Sequence, residues 1–181
     1  LAYIKSGDAL VLAGSIPKSI SSDIYCEILE KLSDKSILTV VDATGELLKK
    51  SLKYNPFLIK PNRSELEELC GHKLETLDDI SDAARELKKA GAKNVLVSLG
   101  ADGALLVTED NQVIYRKAVK GNVINSTGAG DSMVAGFICG WLEKGDYSYA
   151  LDMGISAGSA STFSENLATK EEIEKIYELL Q

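Results

Sequence analysis

Cysteine is scarce in this 181-residue chain, and the three present (Cys26, Cys70 and Cys139) are odd in number, far apart and never in a CxxC pair. That spacing fits neither a disulfide framework nor a zinc site, and all three read as buried small hydrophobes. Histidine occurs once, as His72 within the turn-like stretch CGHKL, and reads as a surface side chain. Basic residues are outnumbered, 20 against 27 acidic ones, for a formal net charge of −7. This balance argues against nucleic acid or an anionic membrane as the main partner. No apolar run reaches the length of a membrane span and no basic-then-apolar leader opens the chain, so cytoplasm is the expected compartment. There is no GxxxxGK[ST] and no GxGxxG after the first apolar run, which disfavours a P-loop enzyme and a dinucleotide-binding fold. A small phosphorylated ligand stays compatible with the acidity, because helix N-termini and a few local cations can hold one.

What is present has the proportions of a soluble globular protein, 45% apolar and 26% charged. The length suits one domain, residues 1–181, and no repeat, linker or charge block divides it. The opening LAYIKSGD reads as the end of a helix running into a strand, so the chain looks cut from something longer.

Short Val-, Ile- and Leu-rich runs at 9–14, 37–42, 56–61 and 94–100 have the length of strands buried on both faces. Helical spacing lies between them. Residues 22–32 place Ile24, Ile28, Leu29 and Leu32 on one side, and 78–91 group Ile80, Ala83, Ala84 and Leu87 before a stop at Gly91. Alternation of this kind predicts an α/β fold with a mostly parallel sheet and right-handed crossovers. GALLVTED and QVIYRKAV flank the turn-like EDNQ and predict an antiparallel hairpin at one sheet edge. Three helices close the chain near 129–144, 147–164 and 170–180, the last with Thr169 and Glu172 at capping-box spacing.

Ligands of open α/β sheets bind beyond the carboxyl ends of the strands. Four loops there, GSIP (14–17), DATG (42–45), KPNRSE (60–65) and SLGADG (98–103), are expected to share one edge. In KPNRSE, Asn62 and Glu65 have the spacing of an N-cap and its reciprocal N3 acid. The functional alternative, compatible with the cap, is that Glu65 helps hold hydrated magnesium beside nucleotide phosphates. SLGADG reads equally as a plain turn or as amides and Ser98 reaching those phosphates. In TGAGD, glycines let successive amides point into one concavity at the start of a helix, with Asp131 as an acceptor for a proton. An anion hole beside a carboxylate base suits phosphoryl transfer to an alcohol. The competing reading is a glycine turn with an aspartate in the first helical turn.

NSTGAGDSMVAGF resembles the second signature of the phosphofructokinase-B family, the ribokinase-like sugar kinases. KPNRSEL, with its Asn-x-x-Glu, is similar to that family's magnesium-associated element, and LAGSIP, DATG and SLGADGAL stand in the family's order. The resemblance runs from Leu1 to Gln181 and is strongest to the 1-phosphofructokinase and tagatose-6-phosphate kinase branch. It implies a three-layer α/β/α fold and ATP-dependent phosphorylation of a sugar phosphate's primary hydroxyl, with fructose 1-phosphate converted to the 1,6-bisphosphate as the favoured case. Other acceptors, and a non-catalytic nucleotide-binding module, are the alternatives. Carried over, Asp131 is the base, and the amides of Gly128, Ala129, Gly130 and Asp131 form the anion hole. Ser98, Gly100, Gly103, Lys60 and Asn62 line the nucleotide, and Glu65 with Asn62 organises Mg2+ through water or phosphate. SAGSAS (156–161) lets its helix approach either the adenine or, as the better reading, a neighbouring helix. The family's amino-terminal strands, lid and most sugar contacts have no counterpart here. The isolated chain is therefore expected to be weak or inactive, and a homodimer is implied only for the full-length protein.

Overall fold

The computed structural model describes residues 1–17 and 19–181. The chain runs β1 (Ala9–Ala13), α1 (Ile24–Lys31), β2 (Leu38–Asp42), α2 (Gly45–Ser51), β3 (Leu58–Ile59), α3 (Arg63–Cys70), α4 (Leu77–Lys89) and β4 (Asn94–Ser98). It continues through β5 (Ala104–Val107), β6 (Val113–Arg116), α5 (Ala129–Lys144), α6 (Tyr147–Thr162) and α7 (Lys170–Leu180). The strands are hydrogen-bonded in the order β1-β2-β3-β4-β5-β6. The first four are parallel and in register, with Val11 opposite Val40, Val40 opposite Leu58, and Leu58 opposite Asn94. Leu99 N–H donates to the Gly103 carbonyl at 2.9 Å and Thr108 N–H to that of Gln112 at 3.0 Å, closing two short links. Links this short join antiparallel neighbours, since a parallel crossover needs a dozen residues or more. The result is a mixed sheet, mostly parallel, with the expected hairpin at one edge.

The backbone gathers into two compact units, Leu1–Val97 with Leu106–Val113, and Ser98–Leu105 with Ile114–Gln181. In the first unit Val40, Val41, Leu58, Ile59, Val95, Leu96 and Val97 are wholly buried, as strands covered on both faces require. Ile80, Ala83, Ala84 and Leu87 form the buried stripe of α4. Of the side expected on α1, Leu29 and Leu32 are buried and Ile24 and Ile28 half-buried, with Tyr25 and Cys26 buried beside them. The predicted strand over 56–61 shrinks to Leu58–Ile59 because Pro56 and Pro61 cannot donate to a ladder. LAYIKSGD holds no helix end; it forms two turns closed by Ile4 N–H to Leu1 C=O and Asp8 N–H to Lys5 C=O. The cysteine reading also needs correction, for Cys26 alone is buried while Cys70 is half-buried and Cys139 exposed. His72 is exposed, as expected.

The second unit is organised by α5 against α6. Both helices are apolar around most of their circumference, and glycines let them approach closely. A methyl group at Gly136 would meet the Met153 carbonyl oxygen at 2.5 Å, and one at Gly158 the Ala129 carbonyl oxygen at 3.1 Å. Tight helix packing is therefore what the small residues of SAGSAS serve.

Candidate functional site

The amino-terminal end of α5 is set by three anchors within the second unit. Asn125 folds the preceding loop, its Oδ1 accepting from Thr127 N–H at 2.9 Å while Nδ2 donates to Glu165 C=O. Ile124 and Asn125 N–H both donate to Thr162 C=O, docking that loop on the end of α6. Ser161 Oγ donates to Ser132 Oγ at 2.9 Å and accepts from Ala168 N–H, tying the first turn of α5 to the same place. Gly128 then adopts φ +78°, a left-handed conformation that L side chains resist, and α5 begins.

Helix starts leave their first amides without intrahelical acceptors. Here Ala129 N–H finds Ser126 C=O and Ser132 N–H finds Gly128 C=O. The N–H groups of Gly128, Gly130 and Asp131 have no acceptor among the described residues. The Asp131 side chain is exposed and makes no hydrogen bond or ion pair with any described residue. One helical turn thus offers several amide donors, the positive end of the helix dipole, and an uncommitted carboxylate. Such a turn can hold an anion and accept a proton.

SLGADG behaves differently. Gly103 is buried at φ +99°, and a methyl group there would lie 1.9 Å from the Arg116 carbonyl oxygen. The glycine is required by that close backbone passage. Tyr115 OH donates to Asp102 C=O at 2.7 Å and holds the turn against β6. Ser98 is half-exposed and Gly100 exposed, at the beginning of the same turn.

In the first unit, GSIP, DATG and KPNRSE follow the carboxyl ends of β1, β2 and β3, which are parallel. The fourth loop falls in the second unit. The capping box is complete: Asn62 Oδ1 accepts from Glu65 N–H at 2.9 Å, and Glu65 Oε2 from Asn62 N–H at 2.8 Å. One residue before the proline, Lys60 is buried, its ammonium 3.3 Å from Asp42 Oδ2 at the end of β2. Tyr25 OH donates to the carbonyls of Ala13 and Gly14, and burial, with Asp42 adding to it, raises that phenol above its usual range. The Asp42–Lys60 pair and Asn125 were not singled out by sequence reasoning. Asn two residues before Thr in NST is an Asx-turn signal that points to Asn125; the ion pair depends on strand register and has no local signature.

A magnesium ion would find no ready-made cage. Among the described residues no group of three or more His, Cys, Asp or Glu side chains is placed to hold a metal. Asn62 Oδ1 and Glu65 Oε2 already accept from one another's amides. These residues do not fit a directly ligated metal.

Residues 1–174 match the family described as pfkB family carbohydrate kinase. The chain belongs to that family. It is 39% identical over 173 residues to 1-phosphofructokinase from Bacillus subtilis, covering 96% of this chain and 57% of that protein. A D-tagatose-1-phosphate kinase from Klebsiella oxytoca is 31% identical over 181 residues, with 59% of its length covered. Phosphofructokinase-2 from Escherichia coli, solved in complex with substrates and products, superposes at a TM-score of 0.92 with 34% identity, over 99% of this chain and 59% of that one. An Arabidopsis thaliana ribokinase complexed with ribose and ATP shares the fold at a TM-score of 0.80 and 23% identity, over 93% of this chain and 55% of that one. The pfkB chain described here spans a little under three-fifths of these relatives' length, and its fold is ribokinase-like α/β. Among the described residues no helix is long and apolar enough to cross a membrane.

Proposed function

We propose that this chain provides the phosphoryl-transfer centre of an ATP-dependent sugar-phosphate kinase acting on a primary hydroxyl. The observation that carries the reading is the single turn in which the unpartnered amides of Gly128, Gly130 and Asp131 accompany a free Asp131 carboxylate. These three amides stabilise charge on the transferring group, an arrangement that needs no reorganisation during reaction; Ala129, expected to join them, gives its N–H to Ser126 C=O instead. Asp131 takes the hydroxyl proton as the sugar oxygen bonds to the γ-phosphorus. The bond to the bridging oxygen breaks, and that oxygen leaves with its electron pair on ADP.

Ser98, Gly100 and Gly103, and separately Lys60 and Asn62, are the proposed nucleotide contacts. Glu65 and Asn62 are proposed to act on Mg2+ only through water or phosphate. Magnesium, when bound with the nucleotide, supplies neutralisation of phosphate charge. Fructose 1-phosphate is the favoured acceptor, on the strength of the 1-phosphofructokinase relatives; the D-tagatose-1-phosphate kinase relative keeps a tagatose phosphate as the chief alternative.

The test is ADP release by the protein that carries this chain, with fructose 1-phosphate, tagatose 1-phosphate, tagatose 6-phosphate, fructose 6-phosphate and ribose. Asp131→Asn is expected to lower kcat by about 10²–10⁴-fold with nucleotide affinity retained, the range for a positioned general base. Near-normal turnover in that variant removes the base assignment. ATP binding with no transfer to any acceptor leaves a nucleotide-binding module instead.

A further inference from the structure

We propose that the cleft between the segment following β6 and the end of α7 is a second anion site, taking a small phosphate ester with an apolar or planar body. The cleft is open to solvent, offers about 480 Å³ and is lined by Arg116, Lys117, Val119, Lys120, Leu179 and Leu180. Pockets of roughly 300–1,000 Å³ are the usual size for small-molecule ligands. None of the residues of the α5 turn lines it, and neither do Ser98, Gly100 or Gly103, although the backbone of Arg116 to Ala118 passes beside Gly103.

Three observations give it a ligand chemistry. First, on a chain of net charge −7 the lining holds three cations and no acid. Second, two of the three cations are not spent on the fold. The ammonium groups of Lys117 and Lys120 have no ion-pair or hydrogen-bond partner among the described residues. Arg116 is fixed in place, its Nε donating to Asp152 Oδ1 at 3.0 Å and its Nη1 to Tyr115 C=O at 3.2 Å. Its Nη2 has no acceptor among the described residues and remains a planar donor of the kind that suits phosphate. Asp152 offsets the Arg116 charge, so the cleft's positive potential comes from the two lysines. Third, Val119, Leu179 and Leu180 give the cleft an apolar wall, and Leu179 stands 69% exposed on it, a surface the folded chain leaves in water. A bare inorganic ion satisfies the cations and leaves that wall wet. An ester with an apolar body covers both.

Titration calorimetry of the full chain with 1-naphthyl phosphate and, separately, inorganic phosphate tests this, with amide shifts mapped by NMR for the first ligand. The expected result is binding of 1-naphthyl phosphate with the largest shifts at 116–120 and 179–180. Lys117→Met/Lys120→Met, which keeps the aliphatic stems, should weaken it by about tenfold or more, with Lys117→Arg/Lys120→Arg restoring it. Leu179→Ser should weaken 1-naphthyl phosphate several-fold and inorganic phosphate hardly at all. Unchanged affinity in the Met double variant, largest shifts at 128–131, or no binding at millimolar ligand overturns the site. Inorganic phosphate binding as tightly as the ester overturns the apolar half of the proposal.

Discussion

Replacing Gly136 with alanine sets two effects of known size against each other. In a helix interior alanine is favoured over glycine by about 1 kcal/mol. The new methyl group, however, would lie 2.5 Å from the Met153 carbonyl oxygen and 2.7 Å from Ala157 Cβ. Carbon contacts relax at roughly 3.5–4.0 Å, so α5 and α6 must part by about 1 Å, and overpacking of this kind costs about 1–3 kcal/mol. The obstructing atom is helix backbone, which cannot swing aside. The net expectation is destabilisation of about 1 kcal/mol, a fall in Tm of about 2–4 °C for a chain of this length. Gly158→Ala is the comparison. Its nearest atoms are the Ala129 carbonyl oxygen at 3.1 Å and Met133 Cβ at 3.4 Å, which a shift of a few tenths of an ångström relieves. Propensity then wins, and this variant should be neutral or stabilised by up to about 1 kcal/mol. Gly140 and Gly154, each with its nearest atom at 3.0 Å, should fall between the two. Urea unfolding of the four single variants reads the order directly. Equal stabilisation of all four would show that the helices are not in the close contact described.

Smaller perturbations test the site's supports. Asn62→Ala removes one side of the α3 capping box and should destabilise by about 1 kcal/mol in urea unfolding, whereas no loss would mean the box contributes nothing. The capping acids Asp79 and Glu172 are held below their usual pKa, chiefly by hydrogen bonds from the backbone N–H groups of Thr76 and Thr169. A depressed folded-state pKa contributes stability above the ordinary values of 3.8 and 4.5, and that contribution is lost as pH falls through the folded-state values. Asp79→Asn/Glu172→Gln should therefore flatten the acid limb of stability against pH while leaving its shape above pH 5 or so alone; an unchanged acid limb contradicts the assignment.

Local chemistry made much of this legible. Alternating Val-rich runs and amphipathic segments located β1, β2, β4 and α4 within a residue or two, although β1, expected to be buried on both faces, is an outer strand with Ala9, Val11 and Ala13 exposed and only Leu12 buried. Asn62 with Glu65, and Thr169 with Glu172, were readable as caps because the capping box closes within four residues. Other features are set by partners distant in sequence. Cys139 lies in an apolar helix, yet faces solvent because the buried side of α5 is fixed by where α6 packs. Gly103 looks like one more turn glycine until Arg116 is found passing beside it. Asp42 and Lys60 meet only through the register of β2 with β3. TGAGD was readable as a helix start, but the openness of its amides depends on what the surrounding loops accept and donate.

The central claim is that nucleotide phosphates sit on the first turn of α5. It is tested most directly by backbone amide NMR of the protein titrated with ATP. The largest shifts are expected at Gly128, Gly130 and Asp131, the donors with no acceptor among the described residues. Saturable ATP binding with those three amides unmoved would contradict it.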